Sequence, residues 1–284
     1  MKKYVFISDM FVENYQGGAE LTTAAIMHAA KKDSQIAKVL SGALTVDMIK
    51  EHPSVHYIVC NFAALDDKVK MHMCKNVDYS IIEYDYKFCE YRSMEKHFAV
   101  TGTECDCVQQ ISGKVNSAFY GYAKKMWFMS TAQQAIFLQQ IPVLKEENTE
   151  VLSSVFAEGD IRFMDSLKDN DKDDKYLILG SESWIKGTKD CIEYAKENSL
   201  AYEVVKQMSY HELLIKMSTS KGLIFRPLGS DTCPRIVIEA KLMGCDTILN
   251  ERVQHKDEDW FQSQEKAFEY VRSRPEAFWN YYAR

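Results

Sequence analysis

Residues 222–243 read G-L-I-F-R-P-L-G-S-D-T-C-P-R-I-V-I-E-A-K-L-M. The apolar run Gly222–Phe225 predicts a buried strand, and Arg235–Met243 predicts a helix after a polar loop. Pro234 suits the start of that helix, where a missing N–H costs nothing. Asp231 and Thr232, just ahead, are capping candidates. Positions 236, 237, 238, 240, 242 and 243 are apolar almost all round, so the helix should be buried. Glu239 sits inside it, and an unpaired buried charge is expensive. Its partner is either Arg235, four residues earlier, or a polar ligand such as a ribose with two hydroxyls.

The same strand, turn and helix order repeats on either side. Tyr176–Gly180 predicts a strand, 181–187 (S-E-S-W-I-K-G) a turn and Thr188–Asn198 a helix. Tyr202–Val205 and Thr247–Leu249 read as strands, with a helix over Tyr210–Met217. In the first half, Lys3–Ser8, Lys38–Leu40, His56–Asn61 and Tyr79–Tyr84 read as strands. Helices are expected over Ala19–Ala30, Val46–His52, Asp66–Asn76 and Gln133–Gln140. Cys89–Ser117 is poorly periodic and reads as loops and short helices, and 165–175, with five Asp, as a solvated turn. Trp260–Tyr282 reads as a helix that Pro275 should kink or split. Such alternation predicts an α/β fold with parallel strands and helical crossovers, in two Rossmann-like domains facing across a cleft. Their expected bounds are 1–150 and 151–265, with a final helix, 266–284, packing back on the first domain.

Composition narrows the class. The 284 residues include 35 basic and 41 acidic ones, a net charge of −6, which excludes a globally basic nucleic-acid binder but not a local basic groove. Aromatics at 12% exclude a disordered chain, and 12 Gly with 5 Pro exclude a collagen-like one. The N-terminal apolar run meets Asp9 too early for a signal peptide, and no stretch is long enough for a transmembrane anchor. A cytoplasmic protein with eight reduced cysteines is therefore expected.

Ligands of such sheets bind beyond the carboxyl ends of strands, where helix N-termini offer free N–H groups. Three turns stand out there. The first, 8–20, carries Gly17-Gly18-Ala19-Glu20, where the backbone can approach a ligand. The second ends in Lys186-Gly187, which can set an ammonium at a diphosphate. The third is the loop before Arg235. Each also has a plain reading: a glycine loop with an acidic helix start, a solvated lysine, and an Arg235–Glu239 pair.

In this order the three turns resemble those of retaining GT-B glycosyltransferases that use a nucleotide-sugar donor, of the family-4 kind. Asp231 and Glu239, separated by seven residues, match that family's paired-acid motif, with Asp in place of the commoner first Glu. The resemblance spans both halves and is most specific over about 175–250. It implies that Asp231 binds hydroxyls of the transferred sugar and that Glu239 holds the ribose. It implies that amides near Thr232, Cys233 and Arg235 face the diphosphate and that Lys186 offsets leaving-group charge. Gly17, Gly18 and Gly187 would line the donor. No cofactor or metal is required beyond the UDP- or GDP-sugar. Where the family often has an Arg, five residues before the Lys, this chain has Ser181; Arg226 and Arg235 are candidates for the second phosphate cation. A non-catalytic nucleotide-sugar-binding module is the alternative. A dinucleotide-dependent enzyme is disfavoured, since no G-x-G-x-x-G follows the first strand.

The acceptor side is less defined. His97 and Glu104 are acceptor-side candidates without a motif. Tyr84, Tyr86, Tyr91, Phe119, Tyr120, Tyr122, Trp127 and Phe128 could stack on sugars or bases, or simply form core. Lys114, Lys124 and Lys125 suggest a small basic patch. Glycans, small metabolites and a hydroxymethylated base in DNA thus all remain as acceptors. Cys89, His97 and the C-x-C pair Cys105/Cys107 include zinc-ligand types, but regular zinc patterns use C-x₂₋₄-C pairs; buried thiols and no metal are expected.

Overall fold

The computed structural model describes residues 2–283. The chain divides into two compact units: residues 2–155 with 275–283, and residues 156–274.

The first unit is built on strands β1 (Lys2–Ser8), β2 (Ser34–Leu40), β3 (His56–Val59), β4 (Tyr79–Glu83), β5 (Lys125–Phe128) and β6 (Thr149–Val151). They form one sheet in the order β2-β1-β3-β4-β5-β6, every pair parallel. The helices are α1 (Gly18–His28), α2 (Val46–Glu51), α3 (Asp67–Asn76), α4 (Met94–Thr101), α5 (Ile111–Tyr122) and α6 (Thr131–Gln140). Central strands such as β4, Y-S-I-I-E, are buried at every position, as a sheet covered on both faces requires. The edge strand β2 alternates between exposed and half-buried residues.

The second unit holds α7 (Glu158–Leu167), β7 (Tyr176–Leu179), α8 (Thr188–Glu197), β8 (Tyr202–Val205), α9 (Tyr210–Ser218), β9 (Gly222–Phe225), α10 (Arg235–Leu242) and β10 (Asp246–Leu249). Its parallel sheet runs β10-β9-β7-β8. Both sheets therefore reverse strand order beside their first strand, the topological switch point where α/β sheets bind ligands.

The last helix, α11 (Gln264–Ala283), runs unbroken with Pro275 inside it, so the expected split does not occur. Its residues from 275 onward belong to the first unit. There Trp279 donates its indole N–H to the Ile26 carbonyl at 2.8 Å and meets Tyr4 edge-on with centroids 5.1 Å apart. Trp127 donates to the Tyr282 hydroxyl at 3.2 Å and lies tilted against Phe278.

Two helices exceed the expectation: α5 outruns the short helices read into Cys89–Ser117, and α7 had no counterpart. α5 arises from I-S-G-K-V-N-S-A-F-Y-G-Y, whose glycines and Asn give weak helix propensity that tertiary packing overrides. Gly113 allows this, because a Cβ there would stand 1.9 Å from the Cys107 carbonyl oxygen. α7 buries Ile161 and Met164 and takes up residues 165–167 of the segment read as a turn.

Most of the aromatics singled out in the first unit are core. Tyr86, Phe119, Tyr120, Trp127 and Phe128 are fully buried, whereas Tyr122 is exposed. The lysine patch is not assembled as expected. Lys125 is buried, paired with Glu150 at 2.9 Å, and lies over the Trp127 ring, while Lys124 pairs with Asp78.

Candidate functional site

In the second unit the loops after β7, β9 and β10 are tied together at the carboxyl end of the sheet. The Thr188 hydroxyl donates to the Leu179 carbonyl at 2.8 Å and accepts the Ser181 amide, which closes the turn between β7 and α8. The Leu228 amide donates to the Ile185 carbonyl, joining this turn to the loop after β9. The Asn250 side chain donates to the Pro227 carbonyl, and Asp231 forms an isolated parallel bridge with Val253. Gly187 has φ +60, and a Cβ there would stand 2.2 Å from the Arg226 carbonyl oxygen. Glycine is thus required both by the left-handed backbone and by the close approach.

This scaffold brings Lys186 and Asp231 together. The ammonium donates to Asp231 Oδ2 at 2.7 Å and lies 5.6 Å from the centre of the Phe225 ring. Both side chains keep some contact with solvent, 31% for Lys186 and 12% for Asp231. They sit ahead of the N-terminus of α10, whose free amides and dipole favour an anion. Pro234, and neither Asp231 nor Thr232, occupies the N-cap position of this helix. Thr232 and Cys233 are buried.

Glu239 lies one turn into α10 and is 2% exposed. Its Oε1 accepts the Tyr210 hydroxyl at 2.9 Å and has Arg235 Nε at 3.5 Å. Arg235 also donates to the Tyr210 hydroxyl at 3.3 Å and stacks on Phe156, 3.9 Å from the ring centre. Burial pushes the Glu239 carboxyl above its usual range; the Arg235 charge and the Tyr210 hydrogen bond pull the other way. The plain reading of Glu239, an i,i+4 pair with Arg235, is present in this structure. Arg226 pairs with Asp190 at 3.1 Å and stacks on Tyr194. Both arginines considered as the second phosphate cation are thus engaged with their own neighbours.

The first unit gathers a second set of charges at the carboxyl ends of β1, β3 and β4. Glu83, fully buried, accepts Lys87 Nζ and the Tyr120 hydroxyl, each at 2.6 Å. Burial pushes its carboxyl up to about 7 against the pull of Lys87. Lys87 also contacts Asp85 at 3.1 Å, and Asp85 accepts Arg92 Nε at 2.7 Å. Arg92 reaches on to Asn61 at 3.3 Å and holds φ at +57, a conformation uncommon without glycine. Glu20, in the first turn of α1 behind Gly17 and Gly18, is 8% exposed, and burial raises its pKa against the pull of Arg92 and Asn61. Beside this chain of charges a cavity of about 220 Å³ is lined by Phe62, Lys70, Lys87, Cys89, Glu90 and Arg92.

Of the acceptor-side candidates, Glu104 is exposed. His97 is buried against Cys89 and Cys107, so its ring faces sulfur and not an open surface. The Glu83, Asp85, Lys87 and Arg92 set escaped the sequence reading, as did Asn61 and Tyr210. The trace of the first four was E-Y-D-Y-K at 83–87, charges alternating directly after an apolar strand.

No family model and no curated protein matches the chain. Solved structures do. The Anabaena HepE complex with UDP-glucose superposes with a TM-score of 0.57 at 13% identity, covering 98% of this chain and 91% of that one. The apo structure of OtsA gives 0.59 at 9% identity, with 97% and 94% covered. The catalytic domain of Arabidopsis thaliana starch synthase IV, bound to ADP and acarbose, gives 0.56 at 8% identity, with 99% and 92% covered. With two parallel sheets of Rossmann-like topology and these neighbours, the chain has the GT-B fold.

Proposed function

We propose that the protein is a glycosyltransferase that moves a sugar from a nucleoside diphosphate sugar to a hydroxyl acceptor, with retention at the anomeric carbon. The observation that carries this reading is the Lys186–Asp231 pair ahead of the α10 N-terminus. A departing nucleoside diphosphate needs cationic and N–H stabilisation where its charge develops, and these groups supply both without a metal. Asp231 accepts hydroxyls of the transferred sugar, and Lys186 exchanges its carboxylate partner for the diphosphate. Glu239 accepts the ribose hydroxyls in place of the Tyr210 hydroxyl. The amides near Thr232, Cys233 and Arg235 face the phosphates, and Gly187 lets the backbone come close. Gly17 and Gly18 present the start of α1 to the donor. The solved neighbours bound to UDP-glucose and ADP support a nucleotide-sugar co-substrate.

The acceptor is a glycan or small metabolite held by the charged groups of the first unit. Its cavity is smaller than the ~300–1,000 Å³ of ordinary ligand pockets, which fits a small acceptor group. A base in DNA loses support because Lys125, one of the three lysines of the expected basic patch, is buried and paired. The test is donor hydrolysis and transfer with a panel of UDP- and GDP-sugars. Product sugar with the anomeric configuration of the donor supports the reading. Nucleotide-sugar binding without turnover on any acceptor would leave the chain a binding module.

A further inference from the structure

We propose that Cys89, His97, Cys105 and Cys107 form a zinc site that holds together the excursion between β4 and α5. The four ligand atoms all lie within 4.8 Å of one another. His97 Nδ1 stands 3.4 Å from Cys107 Sγ and 4.0 Å from Cys89 Sγ. Zn–S bonds of about 2.3 Å and Zn–N bonds of about 2.0 Å place tetrahedral ligand pairs about 3.5–3.8 Å apart, so these atoms need only small movements to close on an ion. Three thiolates with one imidazole are a ligand set that selects zinc, and four protein ligands leave no open position. The site is therefore structural.

Its surroundings fit this role. Cys89, His97 and Cys107 are buried and Cys105 is half-buried. The Glu90 amide donates to Cys107 Sγ at 3.5 Å, the kind of outer contact that steadies a thiolate ligand. The ligands lie before, within and after α4, and His97 is the one buried side chain that helix contributes. Phe98 and Val100 on the same helix are more than half exposed. So short a helix, with so little of its own apolar surface covered, lacks a core sufficient to fix it, and a metal supplies the missing tether. The sequence hid the site because its spacing, C-x₇-H-x₇-C-x-C, is not a paired C-x₂₋₄-C pattern. The expectation of no metal is replaced by this assignment, which stands independently of the sugar-transfer reading.

The experiment uses the full chain, produced in zinc-replete medium and purified under reducing conditions without a metal-affinity step. Elemental analysis should give about one zinc per chain. Replacing zinc with Co²⁺ should give the thiolate charge-transfer and intense visible bands of a tetrahedral site. The double variant Cys105→Ser/Cys107→Ser should lose more than ~tenfold in zinc content. If that variant fails to fold, wild-type zinc content and the cobalt spectrum decide alone. Zinc well below stoichiometry together with no cobalt–thiolate band overturns the proposal, as does a disulfide among these cysteines in the freshly purified, zinc-free protein.

Discussion

At the carboxyl end of the second sheet, the charged groups come from two turns and one helix, Lys186, Asp231, Arg235 and Glu239, and meet as short pairs. At the same end of the first sheet they come from scattered places, Asn61, Glu83, Asp85, Lys87 and Arg92, and form one continuous chain. The loops of the second unit are brief and knitted by backbone bonds, whereas in the first unit the segment after β4 runs through α4 and α5 before β5. A compact charged pair whose members remain part-exposed can trade partners with a ligand. A chain anchored on the fully buried Glu83–Lys87 pair fixes a shape instead, and its Arg92 end stays exposed. On the proposed reading, the second unit would carry the chemistry common to a class of reactions, and the first what is particular to this chain.

The contrast can be broken most forcefully at Lys186. Lys186→Ala should lower sugar turnover by ~10²–10³-fold, the loss typical when one stabiliser of developing negative charge is removed. Steady-state kinetics beside a denaturant melt would check this; full activity would sever the pair from the chemistry. The next effect is a matched pair of glycine substitutions. Gly187→Ala places a Cβ 2.2 Å from a backbone oxygen at φ +60, so it should cost about 2–3 kcal/mol of stability. Gly102→Ala in the first unit, at φ +74 with nothing within 4 Å, should cost only the ~1–2 kcal/mol of left-handed strain. Equal losses would show that the Arg226 carbonyl moves aside freely.

Glu239→Gln should weaken nucleoside diphosphate binding about tenfold, or ~1.4 kcal/mol, by calorimetry. Gln is chosen over Ala because it keeps the side chain's bulk and an acceptor for the Tyr210 hydroxyl. Unchanged affinity would sink the ribose assignment. The smallest effect concerns two buried histidines. His255 in the second unit is fully buried, neither ring nitrogen has a hydrogen-bonding protein partner among the described residues, and burial lowers its pKa to about 3. His56 in the first unit meets the Ser80 hydroxyl at 2.9 Å and is lowered to about 4. Below pH 6.5 the unfolded chain binds protons that the folded one refuses, so stability falls as pH drops towards those values and is unaffected above 6.5. Each should contribute about 1 kcal/mol of loss per pH unit there. His255→Phe, still able to stack on Trp260, should flatten part of that slope in pH-dependent melts, and an unaltered slope would show that His255 is not its source.

Much of the second unit was legible because its information is local. Gly222–Phe225 is an uninterrupted apolar strand, Tyr202–Val205 is broken only by Glu203, and Pro234 marks the entry to α10 within one residue. The two readings of Glu239 could also be posed from spacing alone, and the Arg235 contact is the one seen. The part played by Tyr210 was not legible, since it reaches Glu239 from α9, twenty-nine residues away. In the first unit β1 to β4 and helices α1, α2, α3 and α6 were equally legible, but the same difficulty governs its charged groups and the segment from β4 to β5. α5 is held by packing that its own sequence does not announce, Lys125 looks like a surface lysine until Trp127 covers it, and the zinc ligands converge only after α4 has folded between them.

Pro275 divides the one helix that both units share in sequence: residues up to 274 belong with 156–274, and those beyond complete the sheet unit begun at residue 2. A gene fragment cut after residue 155 would therefore encode an unfinished domain, with Tyr4, Phe6 and Trp127 stripped of their cover by Phe278, Trp279 and Tyr282. The same topology offers a permutation in its place. Stitched ahead of residue 2 by a short linker, the 275–283 peptide would turn a discontinuous half into a continuous one. Each half could then be titrated, labelled or exchanged on its own.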